Sequence, residues 1–188
     1  MSELKDTQNE NDDRQIAIDR VGVKALKFPL VVKDKGGDEQ PTVATVALAV
    51  DLPHHYKGTH MSRFIEVLNA HGNCLSVHDM AGLPGDLLKR LDAQRAYVDF
   101  LFPFFKSKPA PVTGNEGMMD YNVRFEIEAE KGGITDFIVT VMVPVATLCP
   151  CSKAISEYGA HNQRGVVTYS VRFRDPVWID DLIDRVES

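Results

Sequence analysis

Apolar and polar side chains alternate at period two along much of the chain, the pattern of half-buried strands. Val46, Leu48, Val50 and Leu52 share one face of a strand over 42–52, and Pro53 ends it. Tyr121, Val123, Phe125 and Ile127 alternate with Asn122, Arg124, Glu126 and Glu128, which predicts a strand with one buried and one wet face. Lys131-Gly132-Gly133 reads as a hairpin turn. Phe137, Val139, Val141 and Val143 form the return strand, and Val167, Tyr169, Val171 and Phe173 a further one. Ala25 to Val32 is an apolar run in which Pro29 suggests an edge position. Lys35-Gly36-Gly37-Asp38 is a turn signal. Tyr97 to Phe105 is an aromatic strand, followed by Lys106 to Pro111 as a loop or edge.

Three stretches change to a helical period. Over Met61 to Asn69, Phe64, Val67 and Leu68 fall on one face, and Thr59 or Ser62 offers a cap. A second helix is expected from Pro84 to about Arg95, with Pro84 in its first turn. A third runs from Asp175-Pro176 through Val186, with Asp175 at the N-cap. Strands joined by hairpins and interrupted by helices predict an α+β fold with a largely antiparallel sheet. A hairpin followed by helices occurs twice, as a loose echo.

Composition narrows the class. The chain has 188 residues, suited to one domain of ordinary size. Hydrophobic residues are 44% and charged residues 26%, a soluble globular balance. Lys plus Arg is 21 and Asp plus Glu is 27, giving a net charge of −6, which argues against a general nucleic-acid binder. Residues 1–15 carry five acidic and two basic side chains, so half of that charge belongs to a tail expected to be disordered. The folded domain is expected over 16–188. Three cysteines cannot form a disulfide framework. No apolar run reaches 18 residues and no leader pattern opens the chain, so neither a membrane span nor secretion is expected. The default compartment is the cytoplasm.

Candidate chemistry gathers in two places. Thr147-Leu148-Cys149-Pro150-Cys151-Ser152-Lys153 follows a strand, and Tyr158-Gly159-Ala160-His161-Asn162-Gln163-Arg164 comes soon after. In an extended Cys-x-Cys both side chains point to one side. Thiolate and neutral imidazole are good ligands for zinc and similar ions. Cys149, Cys151 and His161 offer three ligands at most, which leans towards an open, catalytic metal site. Two small buried hydrophobes and a packed histidine would explain the same residues without chemistry. A redox pair is a further reading, although the usual Cys-x-x-Cys spacing is absent. The second cluster, Gly58-Thr59-His60-Met61-Ser62-Arg63, lies where a strand passes into a helix, and free N–H groups there favour anions. An ordinary helix cap is the plain alternative. The sequence contains no Gly-rich phosphate loop, dinucleotide fingerprint or nucleophile elbow.

With these clusters in view, the sequence resembles the type IB GTP cyclohydrolase I family of prokaryotes. The matching stretches are Val21-Gly22-Val23-Lys24, Lys57-Gly58-Thr59-His60-Met61-Ser62-Arg63-Phe64, Phe102-Pro103-Phe104-Phe105, Cys149-Pro150-Cys151-Ser152-Lys153 and Tyr158 to Arg164. The resemblance implies a tunnelling fold (T-fold): antiparallel sheets with helices on one face, two such units per chain, and an oligomeric barrel, with a homotetramer as the expected assembly. It implies conversion of GTP and water to formate and 7,8-dihydroneopterin triphosphate, the entry to folate-type pterins. By the same resemblance Cys149 and His161 are metal ligands for zinc or manganese, and Cys151 takes part in catalysis beside them. His60, Ser62 and Arg63 contact substrate, with Lys153 and Arg164 as further partners of the triphosphate. GTP is the implied partner; nucleic acid and membrane are not. Family members extend further, so the third ligand and the base-anchoring glutamate are expected beyond Ser188, and the second unit is expected to be incomplete. Two other readings remain open: a non-catalytic pterin- or purine-binding subunit of the same fold, and a T-fold enzyme with a nucleophilic cysteine, such as a nitrile reductase.

Overall fold

The structure, a computed structural model, describes residues 13–72, 74–75, 77–157, 162–173 and 177–188. The strands are β1 (Ile18–Lys33), β2 (Glu39–Leu52), β3 (Cys74–Leu75), β4 (Arg95–Pro109), β5 (Glu116–Glu130), β6 (Gly133–Leu148) and β7 (Asn162–Arg172). The helices are α1 (Met61–Ala70), α2 (Val77–Leu91), α3 (Pro150–Ile155) and α4 (Ile179–Glu187). The seven strands form one sheet in the order β3-β1-β2-β4-β5-β6-β7. Every pairing is antiparallel except that of the two-residue β3 with β1. The expected α+β class is observed, and its antiparallel strands lie in a single continuous sheet.

The alternation explains the packing. Val46, Leu48 and Val50 of β2, Val98, Phe100, Phe102 and Phe104 of β4, and Tyr121, Val123, Phe125 and Ile127 of β5 are buried. Val139, Val141 and Val143 of β6 continue the same face. Phe64, Val67 and Leu68 of α1, Leu83 and Leu87 of α2, and Ile179, Leu182 and Ile183 of α4 join that one core. Helices therefore cover one face of the sheet. The other face is polar. On it Arg20 bonds Glu128 at 2.8 Å and stacks 3.7 Å above the ring centroid of Tyr97. Arg124 forks onto Asp99 with bonds of 2.9 and 2.8 Å.

Several expected boundaries move. β1 starts at Ile18, before the apolar run, because register shifts after Ile18 and after Val23 let an irregular segment keep pairing with β2. Gly22 lies against the backbone of β2, where a Cβ would meet the Leu48 carbonyl oxygen at 2.0 Å. β4 runs on to Pro109, since Lys106 and Lys108 pair with Met119 and Gly117. α2 begins well before Pro84, which lies inside the helix. The N-cap of α1 is His60, with no side-chain capping bond, in place of Thr59 or Ser62. The last helix has Trp178 as N-cap, and the expected start at Asp175-Pro176 lies outside the described residues. Residues 1–12 of the acidic tail also lie outside them.

Candidate functional site

The sequence treats Cys149-Pro150-Cys151 as extended, and the structure corrects this. Proline is suited to the first turn of a helix because its missing N–H would have no partner there. Pro150 opens α3, so Cys149 becomes its N-cap and Cys151 lies within the helix. The Lys153 N–H donates to the Cys149 carbonyl at 3.2 Å. The N–H groups of Ser152 and Cys151 donate to the Cys149 sulfur and hold its thiol below the ordinary range. A thiol so placed has more thiolate character, the form that binds soft metal ions. Both cysteines are free; Cys149 is half-buried and Cys151 exposed. Ser152 is buried behind them.

The register brings further residues to this end of the sheet. Asn162 pairs with Leu148, Gln163 with Thr147 and Arg164 with Ala146. Arg164 of β7 and Lys153 of α3 are both exposed. His161, the second expected ligand, lies outside the described residues. Among the described residues no group of three metal-ligating side chains converges.

The second cluster is elsewhere. Leu52, the last residue of β2, pairs with Ile18, and Val50 with Ala96 near the start of β4. Arg95 pairs with Glu130, beside the start of β6. His60, Ser62 and Arg63 therefore follow the end of the sheet at which β6 begins, and Cys149 follows the end at which β6 finishes. Between Ile134 and Leu148, β6 spans ~45 Å at ~3.3 Å per residue. One chain thus places Cys149, Cys151, Lys153 and Arg164 at one end of the sheet and His60, Ser62 and Arg63 at the other.

The cleft at the start of α1 has a volume of about 240 Å³ and is bordered by Asp51, Tyr56, Thr59, His60, Arg63 and Asp92. Arg63 and His60 are half-buried and Ser62 is exposed. Asp51 Oδ1 accepts the N–H groups of Gln94 and Arg95 at 2.8 and 2.7 Å, tying the end of β2 to the start of β4. The Tyr56 hydroxyl donates to Asp92 at 3.3 Å. Sequence reasoning overlooks Asp51, Tyr56 and Asp92. The available signal was Asp92 itself, an aspartate just past a helix that closes on Lys89 and Arg90, where glycine is the common residue.

Comparison with known proteins adds a family. Residues 4–188 match the family model described as Type I GTP cyclohydrolase folE2. A protein of Akkermansia muciniphila named GTP cyclohydrolase FolE2 is 65% identical over 190 residues, covering 100% of this chain and 72% of that protein. Proteins of the same name from Azoarcus sp. and Nitrosococcus oceani are each 48% identical, covering 98% of this chain and 68% of each relative. These matches correct the type IB label expected from the motifs: the family that matches carries the FolE2 description.

Proposed function

Because the chain belongs to the Type I GTP cyclohydrolase FolE2 family, we propose that it converts GTP and water to formate and 7,8-dihydroneopterin triphosphate, the entry to folate-type pterins. The observation that carries this reading is the 65% identity with the Akkermansia protein across the whole chain.

Cys149 and His161 would hold a divalent ion, zinc or manganese. The low thiol pKa of Cys149 and its half-buried position suit a soft ligand to such an ion. When bound, the ion supplies Lewis-acid activation of water near neutral pH. Cys151, the second residue of α3, is close enough to bond the Cys149 sulfur and is the group to move a proton beside it. Lys153 and Arg164, exposed at the same end of the sheet, supply positive charge for phosphate. His60, Ser62 and Arg63 are substrate contacts from the other end.

The distance between the two clusters favours a site shared between chains, with the Cys149 end of one chain facing the α1 end of another. That arrangement agrees with a tunnelling fold built into an oligomeric barrel, with a tetramer as the expected assembly. The two hairpin-and-helix stretches, β1–β2 with α1–α2 and β5–β6 with α3, are then its two units, joined through β4 and β5. Among the described residues no helix is long and apolar enough to cross a membrane, and we place the reaction in the cytoplasm.

Incubating the protein with GTP and Mn²⁺ or Zn²⁺ should give pterin fluorescence and formate. Neither product at any metal concentration would sink the reading. A non-catalytic pterin binder would bind product and make none.

A further inference from the structure

We propose that Asp92 contacts the substrate in the cleft at the start of α1, its carboxylate accepting hydrogen bonds from a neutral O–H or N–H of the nucleoside. The inference rests on the GTP reading above and adds a residue and a ligand chemistry to it.

α2 ends at Leu91, and the Ala93 N–H closes the helix on the Leu88 carbonyl at 3.1 Å. Asp92 lies between them with φ +51°. Left-handed backbone at this position is the usual place for glycine, because any Cβ there costs stability. Aspartate tolerates the conformation better than most residues but worse than glycine. Stability alone would thus select glycine here.

The bonds Asp92 makes with the protein do not offset that cost. Tyr56 reaches it at 3.3 Å and Lys131 at 3.8 Å, with the Asp92 and Lys131 side chains 75% and 55% exposed. Long, exposed contacts of this kind contribute little. What the carboxylate has is position. It borders the cleft that holds His60 and Arg63. The other carboxylate there, Asp51, already accepts two backbone N–H groups.

Charge decides the ligand class. A phosphate placed beside Asp92 would be repelled, whereas ribose hydroxyls and the N–H edge of guanine are donors to an acceptor-only group. In this arrangement Asp92 takes the nucleoside, and Arg63 is free to face the phosphate side.

The test is titration calorimetry of the parent protein, Asp92→Gly and Asp92→Asn with guanosine, 2′-deoxyguanosine and inorganic triphosphate, beside a melting curve for each. Asp92→Gly should melt at the same temperature or higher and bind guanosine about tenfold or more weakly. Inorganic triphosphate should bind equally well or more tightly. If the 2′-hydroxyl supplies the donor, 2′-deoxyguanosine already binds weakly to the parent and loses nothing further in the variant; if another sugar hydroxyl or the base does, both nucleosides lose the same factor. Should glycine destabilise the fold, Asp92→Asn decides, with a several-fold loss of guanosine affinity expected. Unchanged guanosine affinity in the folded variants, or no guanosine binding to the parent, overturns the inference. Absence of pterin product would instead remove the GTP reading and leave these affinities to be judged separately.

Discussion

The hydroxyl of Tyr121, a fully buried residue of β5, donates a 2.8 Å hydrogen bond to Glu187 in the last turn of α4. Glu187 also pairs with Lys108 of β4, and one turn earlier Asp184 bonds Lys106 at 2.5 Å. At the other end of α4, Asp181 bonds Lys35 at 2.7 Å. One helix face thus carries acids that meet bases from the β1–β2 turn and the end of β4, while Ile179, Leu182 and Ile183 enter the core. Burial, then Glu187, pushes the Tyr121 phenol above its ordinary range.

Tyr121→Phe should therefore cost about 1–2 kcal/mol at neutral pH, the range for a hydrogen bond to a charged acceptor. The sign with pH follows from the raised pKa. Above about pH 10 an unfolded tyrosine loses its proton while folded Tyr121 keeps it, so stability falls as pH rises. Denaturant titrations from pH 8 to 11.5 should show a shallower alkaline decline in the Phe variant. Equal slopes would contradict this account.

Gly22→Ala should cost more than about 2 kcal/mol, because its Cβ would overlap the backbone of β2 at Leu48 and Ala49. A urea midpoint unchanged from the parent would show that β1 shifts freely at its bulges.

Asp136 is held below the usual carboxylate range by Arg172, which bonds it at 2.5 and 3.0 Å. Its contribution is present above the ordinary aspartate pKa of ~3.9 and is lost as pH falls through the lower folded value. The pair is partly exposed, so Asp136→Asn should cost less than about 1 kcal/mol at pH 7. The difference should close between about pH 4 and 2. A difference constant across that range would separate the stability of the pair from its charge.

Cys149→Ala should lose tightly bound zinc and all pterin production while keeping the parent melting curve of the metal-free protein, since the side chain is half-buried at a helix start. Metal analysis after gel filtration checks it, and retained zinc would move the ligand role elsewhere.

If the site is shared between chains, Arg63→Ala and Cys149→Ala should complement. Each homogeneous variant is expected to be inactive or nearly so. Co-expressed, they should form some sites with an intact Arg63 from one chain and an intact Cys149 from another, and recover a fraction of parental activity. No recovery in a mixture shown to be hybrid by mass spectrometry would mean that both clusters serve one chain.

The strands and the buried face were legible because their signal is local. Tyr121 to Ile127 alternate without interruption, and all four apolar positions are buried. Lys106 and Lys108 hid the end of β4, since what keeps them on the helix-covered face is Asp184 and Glu187, 78 and 79 residues away. Pro150 carried a helix-start signal that the cysteine spacing obscured. The placing of the two clusters at opposite ends depends on which strands are neighbours, β2 beside β4 and β4 beside β5, and local alternation does not say which strands pair. Asp92 was hidden for a different reason: the second helix is expected to run to about Arg95, which places Asp92 inside it, whereas the helix ends at Leu91.

The pairing of β6 with β5 stops at Met142, and from Val143 to Leu148 its partner is β7. Pro144, Ala146, Thr147 and Leu148 are exposed, as are Arg164, Val166 and Val167 across from them. Val143 is still in the core and Val145 packs against it, so only the end of this ribbon, Ala146 to Leu148 with Cys149 beyond it, projects past the packed part of the sheet. A two-stranded ribbon has little stiffness of its own. If a second chain packs on these exposed positions, as the proposed shared site requires, the ribbon and the Cys149 thiol are held from both sides. On that proposal metal affinity should rise with protein concentration, and metal titrations at low and high protein concentration would check it.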